Sequence, residues 1–375
     1  SKHLSDQRRF LNKSFDSLDG YTIKKEYVKT LHEMSLFLED CWPVKKADLP
    51  KGESFNSHNT SDVILCLDML REANHQITLG VIFRYFSKYI NSDKSENDFL
   101  VFEKSVKAIT GFFIIWRSTR QGTEGIDSVY RELLKSGFSI DNEIICPPIC
   151  LLNSSTSEQL PTIEQLTLGL KGFLERKLKE PLTKELYLKK ASNIPTYKNN
   201  KGLTRFMLLI ASHDVVPDSD HHGMVEKGVN GCSSNFNIEN WREFRTIEHI
   251  CPQSMSKGWP ESLSSMSSEH VIGNLVLLPQ YINSSLGNRP WKEKKLIFKM
   301  LCSKTDLERN KFIEKAAEDG INLSFSTENI AIASPYMPNV AAISGIDEWS
   351  NEVLTLRSAN TYGLVWDFVQ NWLKV

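Results

Sequence analysis

The chain lacks the signals that define several protein classes. Its seven cysteines (Cys41, Cys66, Cys146, Cys150, Cys232, Cys251 and Cys302) are odd in number and scattered among 375 residues, with no CxxC pair. That distribution excludes a disulfide framework and a cysteine-built structural zinc site, and reduced thiols are expected. Long hydrophobic runs are missing as well. The longest, Ile109 to Trp116, is far short of the ~20 apolar residues that span a bilayer, and the polar start SKHLSDQRRF has no signal-peptide core. No membrane association is expected, and a cytoplasmic location follows. Charge of one sign is also scarce: the formal net charge is -1, so any nucleic-acid binding has to rest on local patches.

With 40% hydrophobic residues the chain can bury a sizeable core, and its length suggests two domains. The first part has helical periodicity. Tyr27, Leu31, Met34 and Leu38 recur at helical spacing, and Val63 to Leu70 follows the start signal Thr60-Ser61-Asp62. Phe99 to Arg117 is apolar well beyond one face and predicts a buried helix, and Ile126 to Leu134 follows the break at Gly122 and Gly125. No alternating strand pattern of any length occurs here, which predicts a helical domain over residues 1–158. The unpatterned stretch CPPICLLNSSTSEQLP (146–161) is the natural boundary. A helix should start just after it, where Thr162 and Gln165 form a capping-box pattern ahead of the stripe Ile163, Leu166, Leu170, Phe173 and Leu174.

Between Lys171 and Arg205 ten Lys or Arg (171, 176, 177, 179, 184, 189, 190, 198, 201 and 205) stand against three Glu. This is either a nucleic-acid patch or a solvated helix face. Gly202 to Ser212 contains the apolar run FMLLI, and His213 to Asn240 is polar and reads as a loop. That loop holds His213, Asp214, Asp218, Asp220, His221 and His222. Adjacent residues of a flexible loop rarely hold metal geometry, so solvent exposure is expected. The segment Val353 to Leu373 predicts a terminal helix docked on the core.

The chemistry concentrates in FRTIEHICPQS (244–254) and GNLVLLP (273–279). Each is a short strand-like run ended by proline, and together they predict a hairpin. Adjacent strand residues face opposite ways, so Glu248 and His249 can serve different partners, a metal ion and a water. A turn of helix carrying Asn283 follows, then a break at Gly287 to Pro290 and a longer helix from Trp291. Two strands and a helix, with His on the first strand and Asn on the helix, is the pattern of the ββα-metal nucleases. EHICPQS, GNLVLLPQYINSSLGN and WKEKK resemble the HNH family at the C-terminus of GmrSD-type and SspE-type modification-dependent restriction enzymes.

The expected fold class is therefore mostly α with a small ββα-metal HNH motif (α+β). The helical N-terminal domain would be followed by an HNH nuclease domain over 159–375, with its core at about 241–302 and C-terminal helices over 303–375. The resemblance implies an endonuclease that nicks or cuts DNA, phage or other foreign duplex, in bacterial defence. Mg2+ or Mn2+ would be held by Glu248 and Asn283. Mg2+ prefers oxygen ligands and keeps several waters, so a carboxylate and an amide oxygen suffice. His249 is the expected base, because imidazole titrates near neutral pH. Asn274 matches the family's middle Asn, which orients the histidine. His270 is a candidate for the scissile phosphate or the metal shell, and Arg289, Lys294 and Lys295 for the DNA backbone. The family's first ligand is often Asp, so Glu248 departs from it by one methylene. The ATPase-like module that such enzymes carry at the N-terminus, with its DGQQR-type motif, has no counterpart in this sequence and is an expected partner. A catalytically inactive HNH scaffold that binds DNA or regulates is the alternative function, and an RNase of the same architecture is a third possibility, since such sites grip the backbone.

Overall fold

The computed structural model describes the chain apart from residues 1–3, 45–47, 56–59, 150–159, 229–235, 255–257, 264–267, 324–336 and 375. Cys150, Cys232 and most of the expected boundary segment fall outside the described residues. Backbone contacts divide the chain into two units: Ser1–Thr110 with Gly125–Lys177, and Gly111–Glu124 with Leu178–Val375. Among the described residues, no helix is long and apolar enough to cross a membrane.

The first unit is helical: α1 (Leu4–Asp16), α2 (Tyr21–Cys41), α3 (Ser61–Glu72), α4 (Leu79–Asn91), α5 (Glu96–Ser118), α6 (Ile126–Lys135) and α7 (Ile163–Leu178). Residues of α5 from Gly111 onward group with the second unit. Helix starts are locally encoded. The backbone N–H of Asp98 donates to Ser95 Oγ at 3.2 Å ahead of α5. At α7 the expected capping box closes both ways, Gln165 N to Thr162 Oγ1 at 3.2 Å and Thr162 N to Gln165 Oε1 at 2.9 Å. The core is aromatic: the rings of Phe55, Phe86, Tyr89, Phe99 and Phe102 lie 5.5–6.5 Å apart. In α2 the buried stripe runs through Glu33, Phe37 and Cys41. Leu38, one position from Phe37, is exposed.

Two small hairpins escaped the sequence analysis. In the first unit β1 (Phe138–Ile140) pairs antiparallel with β2 (Glu143–Cys146). Asp141 and Asn142 join them with positive φ of 48° and 67°, the handedness a tight two-residue hairpin turn requires. In the second unit β3 (Val215–Pro217) pairs with β4 (Val225–Lys227) inside the segment expected to be a loop.

The second unit continues with α8 (Lys184–Ala191), α9 (Thr196–Asn199), α10 (Lys201–Ile210), the β3–β4 hairpin and α11 (Ile238–Glu243). Then come β5 (Thr246–His249), β6 (Leu275–Leu278), α12 (Gln280–Leu286), α13 (Trp291–Leu301), α14 (Asp306–Glu318), α15 (Pro338–Ser344) and α16 (Asn351–Leu373). The expected terminal helix is therefore present as α16, and it packs against the turn Ile272–Asn274 that leads into β6. Gly273 permits that approach: a Cβ there would meet the carbonyl oxygen of Leu354 at 2.2 Å. Its N–H donates to Ser358 Oγ at 3.1 Å, and its carbonyl accepts from Arg357 Nε at 2.8 Å. Mostly α with small β hairpins is the architecture that sequence patterning predicts.

Candidate active site

β5 and β6 form an antiparallel pair in the register Thr246–Leu278, Ile247–Leu277, Glu248–Val276 and His249–Leu275. α12 follows immediately after Pro279 and packs on β5. Strand, strand and helix occur in the expected order, and they bring Glu248, His249, Asn274 and Asn283 together around one strand. Both chemical residues of β5 are buried, Glu248 at 6% exposure and His249 at 8%.

Asn274 is fully buried and works on the backbone. Its Oδ1 accepts from Cys251 N at 2.8 Å, while Nδ2 donates to the carbonyls of Cys251 at 2.8 Å and Glu269 at 3.2 Å. Its own carbonyl accepts from Ile250 N at 2.9 Å. One side chain thus ties down the residues that follow His249 as the strand ends ahead of Pro252. Asn283 reaches β5 from α12, donating from Nδ2 to the Ile247 carbonyl at 3.5 Å, next to Glu248.

Lys294, expected at the DNA backbone, is fully buried on α13 instead. Its ammonium donates to Glu248 Oε1 at 2.5 Å and to the His249 carbonyl at 2.9 Å. An ammonium enclosed in this way meets no phosphate of a duplex. Burial pushes the Glu248 carboxyl up to about 7 against the pull of Lys294, and burial also pulls the Lys294 ammonium below its ordinary value. The other expected backbone contacts are engaged too. Arg289 bonds to Glu293 and to the Asn322 carbonyl, both at 2.7 Å, and Lys295 bonds to Asp347 at 2.9 Å.

His249 sits among rings. Tyr197 of α9 meets it edge to face with centroids 4.4 Å apart, and His270 lies 5.7 Å away. Tyr197 stacks on His270 with an interplanar angle of 13°. Gln253 Nε2 is 3.4 Å from His249 Nδ1. Burial, then the charges of His270, Lys294 and Lys201, hold the His249 imidazole down to about 4, so it is neutral at pH 7. His270 Nδ1 is buried without a hydrogen-bond partner among the described residues. Tyr197 and Lys201 were not singled out as site residues from the sequence; only the basic run around them marked the region.

Among the described residues, no three His, Cys, Asp or Glu converge in a group that could hold a metal. Of the two expected ligands, Glu248 offers a carboxylate with one oxygen taken by Lys294 and Asn283 offers an amide whose nitrogen reaches the Ile247 carbonyl; the Gln253 amide and the His270 ring also border His249. Oxygen donors of this kind suit a hard cation that keeps several waters rather than a four-ligand zinc site. The histidine- and aspartate-rich segment supplies no such group either: His221 is exposed and bonded to Asp218 at 3.0 Å. His213, expected to be exposed, packs on Phe368 with ring centroids 5.7 Å apart.

No curated protein matches the chain. The stretch that holds β5, β6, α12 and α13, within residues 221–360, matches the family described as GmrSD restriction endonucleases, C-terminal domain.

Proposed function

We propose that the second unit is a divalent-metal-dependent HNH endonuclease that hydrolyses DNA phosphodiesters, the nuclease part of a modification-dependent restriction system directed at phage or other foreign duplex. The observation that carries this is the convergence of Glu248, His249, Asn274 and Asn283 on one strand–strand–helix unit, within the stretch that matches a restriction-endonuclease family. A neutral, buried imidazole can take a proton from water. His249 has that form at pH 7, and burial makes it a weaker base than the near-neutral imidazole expected from sequence. Asn274 fixes the backbone beyond it, and His270 borders the same space. Glu248 and the side-chain oxygen of Asn283 would hold Mg2+ or Mn2+, which when bound neutralises phosphate charge and stabilises the leaving oxygen. An ATPase-like module is the proposed partner that supplies recognition of modified DNA.

One observation favours a second reading, an HNH scaffold that binds DNA without cutting it: the Lys294 ammonium already neutralises the candidate ligand Glu248. Incubating supercoiled plasmid with the protein in Mg2+, Mn2+ or EDTA separates the two. Nicked or linear product with metal and none with EDTA supports the nuclease. Plasmid retarded but uncut at every metal concentration supports the scaffold, and a parallel RNA substrate tests the choice of nucleic acid.

A further inference from the structure

A phosphodiester positioned for attack beside His249 must meet positive charge, and the three cations expected to supply it are committed elsewhere. Lys294 is enclosed on Glu248, Arg289 is held by Glu293 and the Asn322 carbonyl, and Lys295 is held by Asp347. Part of the basic run that precedes the site is also paired: Lys171 with Glu175, Arg176 with Glu132, Lys184 with Asp367 and Lys190 with Glu180. Arg205 is buried against the Trp241 ring.

Lys201 differs from all of these. It is exposed, has no ion-pair partner among the described residues, and its ammonium lies 5.1 Å from the centre of the Tyr197 ring. Tyr197 in turn contacts both His249 and His270. The side chains of α9 and the first residue of α10 therefore form one wall of the site, with rings against the candidate base and an uncommitted cation at the outer edge. A ring held edge-on to His249 restricts the tilt of the imidazole, which makes no hydrogen bond to backbone among the described residues and has only Gln253 Nε2 as a polar contact, at 3.4 Å.

We propose that Lys201 binds a backbone phosphate of the DNA next to the scissile one, and that Tyr197 is a positioning residue that fixes the orientation of His249. This rests on the reading of the site as a nuclease, and the two parts are tested so that their failures differ. Lys201 is tested without catalysis, by the binding of a fluorescent duplex oligonucleotide in EDTA over a range of salt concentrations. Lys201→Ala should weaken binding about 3- to 10-fold and lower the slope of log affinity against log salt by about 1, with Lys201→Arg restoring both. Unchanged affinity and slope in Lys201→Ala would overturn the phosphate contact.

Tyr197 is tested with supercoiled plasmid at saturating enzyme in Mg2+. Tyr197→Ala should cut about 10- to 100-fold more slowly at unchanged DNA affinity, and Tyr197→Phe, which keeps the ring, should restore the rate. Wild-type cutting by Tyr197→Ala would overturn the positioning role. If the wild-type protein cuts nothing, the nuclease reading fails by itself, and the binding measurements in EDTA still decide Lys201.

Discussion

The aromatic core of the first unit and the site of the second bury their residues on opposite principles. Phe55, Phe86, Tyr89, Phe99 and Phe102 meet as rings, and the charged groups buried in that unit are satisfied in small separate sets, Asp68 with Arg71 one turn along α3 and Glu33 of α2 by Ser87 and Asn91 of α4. In the site a carboxylate, an imidazole, an amide and an ammonium are buried together, drawn from β5, the turn before β6, and α13. Burying charge is costly unless it is paired, so a fold that needs only stability has no reason to collect such groups. We read this collection of buried polar groups as the mark of the proposed site.

Single substitutions break either kind of burial. Phe55→Ala should destabilise the first unit by about 3–5 kcal/mol through lost burial and a cavity. Lys294→Ala should cost the second unit a similar amount, about 3–5 kcal/mol, for a different reason: it leaves Glu248 buried and unpaired. Thermal melts separate the causes, because adding Glu248→Gln should recover much of the Lys294→Ala loss and none of the Phe55→Ala loss. Asn274→Ala comes next at about 2–4 kcal/mol, since it strips partners from the Cys251 N–H and carbonyl. Wild-type stability in that variant would mean that the residues after His249 are held by something else.

Smaller effects follow from protonation. His249 is held to about 4, against an ordinary value of 6.5. Between those values the unfolded chain takes up a proton that the folded site refuses, so the contribution of His249 is complete above pH 6.5 and is lost as pH falls toward 4. Glu248, raised to about 7, works in the other direction, since its contribution declines as pH rises from about 4.5 to 7. Denaturant unfolding of wild type and His249→Gln isolates the first effect. Wild-type stability should fall more steeply with acid, by at most about 1.4 kcal/mol per pH unit. Parallel profiles would contradict a buried, neutral imidazole. The smallest effect belongs to the rim: Arg289→Ala should cost under about 1 kcal/mol and change DNA affinity less than twofold, well below the effect of Lys201→Ala.

Much of this site can be read from sequence because its chemistry needs particular residue types on short, contiguous elements. Glu248-His249 ahead of Pro252, and Gly273-Asn274 ahead of an apolar strand, fix a hairpin within a few dozen residues. Gly273 is required by its contact with α16 and Asn274 by the backbone it holds. Lys294 was misplaced on the surface because lysine usually lies there. The periodicity of α13 held the correction, since Lys294 shares the helical face of Trp291, Phe298 and Leu301, all of them buried. Tyr197 had no such signal. It lies on a four-residue helix far upstream, too short for any period, and only the tertiary fold brings it to His249. Likewise β3 and β4, at three residues each, are shorter than the alternation that reveals a strand.

The role of His249 as the base of the proposed nuclease is tested by comparing wild type with His249→Ala on supercoiled plasmid in Mg2+. Circular dichroism and duplex binding in EDTA should be measured on both proteins. In His249→Ala cutting should fall by at least about 100-fold, with the fold unchanged and DNA affinity within twofold of wild type, a limit of about 0.4 kcal/mol. Cutting by His249→Ala at the wild-type rate would contradict that role.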